Sequence, residues 1–86
     1  MNKFVKDRHD AFVSAVMNDD WAKIEKYSKK YGVPMPKDEN VMKAGVYKAV
    51  QYCTDISEEV KGVAMQKCLE LGFSPFIEPI ELGGKS

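Results

Sequence analysis

The chain has 86 residues, 44% of them hydrophobic and 30% charged, with 13 Lys and Arg balanced by 13 Asp and Glu. That length is one domain, able to hide roughly 60–65% of its unfolded surface, and the composition argues against disorder. Zero formal net charge removes the broad counterion-release drive of a nucleic-acid binder and leaves only a local basic patch to supply it. No apolar run approaches the ~20 residues that span a bilayer. Lys3, Lys6, Asp7 and Arg8 break any signal-peptide core. The expected setting is the cytoplasm, and a chain opening on Met1 is expected to be a complete small protein.

The first helix is predicted from about Lys3 to Met17. Phe4, Val5, Ala11, Phe12, Ala15 and Val16 recur at helical spacing, and Arg8 and His9 interrupt the stripe. Asn18-Asp19-Asp20 is the break, and either Asp suits the cap of the next helix. That second helix, Trp21 to Tyr31, sets Trp21, Ile24, Tyr27, Ser28 and Tyr31 along one side and Lys23, Lys26, Lys29 and Lys30 on the others. Gly32 then Val33-Pro34 closes it: Gly takes the left-handed position without a Cβ penalty, and Pro cannot continue the spiral. Val33 to Asp38, with two prolines, reads as a stiff, extended linker.

The third helix is predicted from about Glu39 to Cys53, with Met42, Val46, Ala49, Val50 and Cys53 as its stripe. Gly45 adjoins the stripe at roughly 1 kcal/mol relative to Ala, a cost that a closely approaching neighbour helix would explain. Thr54-Asp55-Ile56-Ser57 is the second hairpin turn. Asp55 with Glu58 has capping-box spacing, and Ser57 competes for the role. The fourth helix runs to Leu71 with Val60, Val63, Ala64, Cys68 and Leu71 inward. Met65 and Leu69 widen that face, so this helix is expected to be the most buried. Gly72 closes it as Gly32 closes the second. The tail from Phe73 to Ser86 carries Phe76, Ile77, Ile80 and Leu82 between prolines that bar a continuous helix. It is expected to lie extended across the bundle on Phe73 and Phe76, with residues 83–86 frayed. The predicted fold is all-α: four helices as two helix–turn–helix hairpins, one domain over residues 1–86, its tail 73–86 partly irregular.

Candidate chemistry is sparse. Cys53 and Cys68 fall on apolar stripes and read as buried thiols rather than a disulfide. Gly83-Gly84-Lys85-Ser86 resembles the end of a phosphate-binding loop without its strand, longer loop or following helix. His9, the only histidine, has Asp7 and Asp10 nearby but no second strong metal ligand. A thiol–His9 pair would need an exposed, low-pKa cysteine. No nucleophile–base pair is visible, so no enzyme, cofactor or metal is expected. Glu58-Glu59 at the start of the fourth helix would repel phosphates, which argues against a DNA-reading helix-turn-helix. The densest basic cluster is Lys23, Lys26, Lys29 and Lys30, interleaved with Trp21, Tyr27 and Tyr31. It is the candidate binding site, and such a pattern can hold nucleic acid by stacking and phosphate contact. A solvated lysine face is the favoured reading, because the aromatics fall on the core stripe and Glu25 offsets part of the charge.

Ala15-Val16, Asn18-Asp19-Asp20-Trp21, Ile24 and Tyr31-Gly32-Val33 together resemble an ankyrin-type helical hairpin. Ala49-Val50, Val60, Ala64, Leu69 and Leu71-Gly72-Phe73 resemble one more loosely, though the Thr-Pro-Leu-His signature is absent. The resemblance implies protein–protein binding by stacked hairpins, not catalysis. The chain also resembles small uncharacterised proteins of bacterial mobile elements, which implies no activity. The expected function is a small interaction or adaptor module whose partner is an unidentified protein or a second copy. The alternative is a weak nucleic-acid-associated protein using the basic helix 21–31.

Overall fold

A computed structural model describes residues 2–74 of the chain. The expected placement of Phe76, and the phosphate-loop-like end at 83–86, lie outside the described residues. Four helices form among the described residues: α1 (Lys3–Asn18), α2 (Trp21–Tyr31), α3 (Glu39–Val50) and α4 (Glu58–Glu70). They pack as two hairpins, α1 with α2 and α3 with α4, and α1 joins them by lying against both α3 and α4.

Short polar side chains start three of the helices by accepting from otherwise unpaired amides. Asn2 accepts from the Val5 amide at 2.9 Å, Asp38 from Val41 at 3.0 Å, and the Ser57 hydroxyl from Val60 at 3.4 Å. Ser57 therefore caps α4 and Asp55 does not: the Asp55 carboxylate turns to Arg8 of α1 at 3.3 Å. Neither Asp19 nor Asp20 caps α2 with its side chain. Asp20 holds the cap position without such a bond. Asp19 is used in closing α1, in the left-handed conformation (φ 55°) with its amide on the Ala15 carbonyl.

Gly32 (φ 66°) and Gly72 (φ 90°) end α2 and α4 as the sequence suggests. The residue after each glycine donates back five positions, Val33 to Ser28 at 3.0 Å and Phe73 to Cys68 at 3.1 Å. This bond closes a helix through a left-handed residue. The third helix stops at Val50, short of Cys53. There the amides of Tyr52 and Cys53 shift to carbonyls three residues back, tightening the chain into the turn. The Gln51 side-chain amide donates across that turn to the Lys61 carbonyl at 2.9 Å.

The core runs along both hairpins through Phe12, Ala15 and Val16 of α1, Ile24 of α2, Val50 of α3 and Cys68 of α4. The buried face of α3 is rotated from the predicted stripe. Ala44 and Tyr47 are buried, while Met42 and Ala49 are half-buried. This follows because α3 meets α1 and α4 together and because Tyr47 receives the edge of Trp21 at 5.8 Å. α3 buries four of its 12 residues and α4 three of 13, so α3, not α4, is the more buried. Leu69, expected to widen the buried face of α4, is 52% exposed.

No helix approaches Gly45: a Cβ there, or at Gly62 of α4, would meet nothing within 4 Å. The glycines thus divide by conformation. Gly45→Ala and Gly62→Ala should each stabilise the protein by about 0.5–1 kcal/mol. Gly32→Ala and Gly72→Ala should each destabilise it by about 1 kcal/mol, because Ala resists positive φ. Thermal denaturation followed by circular dichroism checks the four signs. A uniform direction across all four variants would contradict the division.

Candidate functional site

One side of α2 is spent on α1. There Phe4 and Phe12 meet Tyr27 and Tyr31, with ring centroids 4.9–5.8 Å apart. Its other side overlooks α3, whose backbone it does not approach. Trp21 spans the space at one end by reaching Tyr47. The linker spans it below, held to α2 by the Ser28 hydroxyl donating to the Val33 carbonyl at 2.6 Å.

The result is a groove of about 530 Å³ between α2 and α3. Trp21, Ala22, Ile24, Met35, Pro36 and Met42 line it. Along its banks stand two ion pairs, Glu25–Lys29 at 3.4 Å on α2 and Glu39–Lys43 at 2.8 Å on α3. The Lys43 ammonium also stands 5.5 Å over the Trp21 ring. A second groove, about 240 Å³, opens on the far side of the linker along Gly45 and Ala49, sharing Met35, Pro36 and Met42. Both surfaces are mainly apolar. The polar side chains on the large one are engaged locally: the Ser28 hydroxyl with the Val33 carbonyl, Glu25 with Lys29, and Glu39 with Lys43.

The four candidate lysines are all exposed, yet they do not form one patch. Lys29 belongs to the bank of the large groove. Lys30 binds Asp7 at 2.9 Å, and Asp7 also accepts from the Tyr31 hydroxyl at 2.7 Å. Lys23 and Lys26 line a shallow hollow with Lys30 and with Asp7 and Asp10 of α1. Acids are therefore interleaved with the bases. Tyr27 and Tyr31 also line that hollow, and the Lys30 ammonium stands 5.5 Å over the Tyr31 ring; Tyr27 is buried, and Tyr31 also packs edge-on against Phe4 in the α1 seam.

Other reactive groups are quiet. Cys53 and Cys68 are free and buried, and burial pushes both thiols up from their ordinary value. His9 lies on its neighbour Asp10 at 3.3 Å. Among the described residues no three of His, Cys, Asp and Glu are grouped to hold a metal ion. Among the same residues no helix is long and apolar enough to cross a membrane.

The Arg8–Asp55 pair, 28% and 16% exposed, escapes a reading of local pattern. Its signals were a base interrupting the apolar stripe of α1 and an acid in the second hairpin turn. No family model, curated protein or solved structure matches the chain, so the site rests on its own geometry.

Hydrogen bonds from Tyr31 and then Lys30 hold the Asp7 carboxyl below its ordinary value of 3.8. A carboxyl depressed by folding contributes stability above its unfolded pKa and loses it as pH falls through the folded one. Acidification below about pH 4 should therefore weaken the α1–α2 seam. Asp7→Asn should be less stable at neutral pH and show a shallower acid loss. Asp10, depressed through His9 and Lys6, leaves some slope in both. Urea denaturation across that pH range measures it; parallel profiles for the two proteins would contradict the assignment.

Proposed function

We propose that this protein is a small, non-catalytic interaction module that docks onto another protein through the groove between α2 and α3. The observation that carries this reading is an apolar groove of about 530 Å³ between two helices whose backbones stay apart. Trp21 and two methionines supply its surface. An aromatic anchor and adaptable thioether chains suit recognition of apolar side chains.

Each bank carries one acid paired to one base, so the groove has no net charge to attract a phosphate backbone. The resemblance of the Ala15–Val33 and Ala49–Phe73 sequences to ankyrin-type hairpins implies the same kind of function. Two free buried thiols agree with the cytoplasm as the place of action.

A photo-reactive amino acid in place of Ala22, in the full chain expressed in its native cells, tests the proposal. The expected product is a nuclease-resistant protein adduct. It should disappear with Met42→Asp and survive conversion of Lys23, Lys26 and Lys30 to Glu. Adducts to nucleic acid that require those lysines would favour the basic-helix reading instead. The same protein adduct from a probe at exposed Gln66 on α4 would show that the groove is not the site.

A further inference from the structure

Building on the groove as the docking site, we infer that its occupant is an amphipathic α-helix of the partner. Each flank of that helix carries one acid and one base, in opposite order on the two sides.

The first argument is backbone satisfaction. A segment that enters an apolar groove must keep its amides and carbonyls paired. An extended segment normally does so by adding to a sheet edge. Among the described residues there is no strand, and the extended linker at the groove carries Pro34 and Pro36, which have no amide to donate. A helix brings its own hydrogen bonds and needs only apolar contact.

The second argument is the order of charge. Lys43 lies over Trp21, and Tyr47, one turn later on α3, also meets Trp21. Glu39 is one turn earlier and therefore farther from the Trp21 end. Moving away from Trp21, the α3 bank reads Lys43 then Glu39, and the α2 bank reads Glu25 then Lys29. Each pair is spaced four residues apart, one helical turn. A third helix laid between them presents flank residues at the same repeat. Its complement is acid then base towards α3, and base then acid towards α2.

The test selects from two displayed libraries of roughly 18-residue segments, long enough for a stable amphipathic helix, with the full chain as bait. One library has a fixed leucine stripe at helical spacing and flanks randomised between Glu and Lys. The other has the same composition with two internal prolines. The expected winners are helical, carry the stated flank order, and change the fluorescence of Trp21, the only tryptophan.

Exchanging the α2 bank, Glu25→Lys with Lys29→Glu, keeps an exposed pair in place while reversing its order. Affinity for the winning helix should then fall roughly tenfold and return when that flank of the helix is exchanged too. Random flanks among the winners, or equal binding to the exchanged bait, would overturn the inference. Victory of the proline library would overturn it while leaving the interaction-module reading intact. Enrichment from neither library, or winners indifferent to Met42→Asp, would count against both.

Discussion

Everything in this fold depends on α1 lying against three neighbours at once. Ala15 and Val16 are fully buried, and α1 packs on α2, α3 and α4. Alanines at positions 11 and 15 let the other helices come close, and Phe12 and Val16 fill the space between them. Polar ties hold each end. Arg8 reaches Asp55 in the turn between α3 and α4. Lys67 of α4 donates to the Val16 carbonyl, one of the carbonyls that a helix leaves unpaired at its carboxyl end. Hairpins that would each be marginal alone thus share one core.

The same arrangement leaves α2 supported on one side. Its aromatic seam with α1 combines apolar burial with edge-on ring contacts worth about 0.5–1.5 kcal/mol each, and Asp7 adds hydrogen bonds from Tyr31 and Lys30. Towards α3 the only ring contact is Trp21 on Tyr47 among the described residues. The stiff linker sets the separation, because Pro34 and Pro36 keep it extended while Ser28 fastens its start. The groove is the remainder of this geometry: apolar surface for which the chain's described residues provide no cover. Recognition is proposed to follow from that shortfall rather than from a constellation of reactive groups.

How much of this was legible in the sequence varies with the range of the interaction. Helix ends are local, so Gly32, Gly72 and the proline-bearing linker marked the hairpins well. Apolar periodicity is also local, and it correctly placed Ile24, Tyr27, Val46 and Val60 inside. Periodicity says which face is apolar, however, not whether anything covers it. Trp21 and Met42 look like core on a stripe, and only the separation of α2 from α3 turns them into groove lining. Asp55 shows the same limit from the polar side. Its spacing to Glu58 suggested a cap, but a guanidinium 47 positions away in sequence claims its carboxylate. Gly45 suggested close packing because its cost needed a reason, and the surrounding space is open.

Native-state hydrogen exchange resolved residue by residue tests the central claim most directly, namely that, among the described residues, the α2 backbone packs on α1 alone and reaches α3 only through Trp21. Core amides of α1, α3 and α4 should exchange only with global unfolding, whereas α2 should open as a unit at a lower free energy. Equal protection of α2 with the other three helices would mean that it is held from both sides, and the groove that carries the functional reading would not exist in solution.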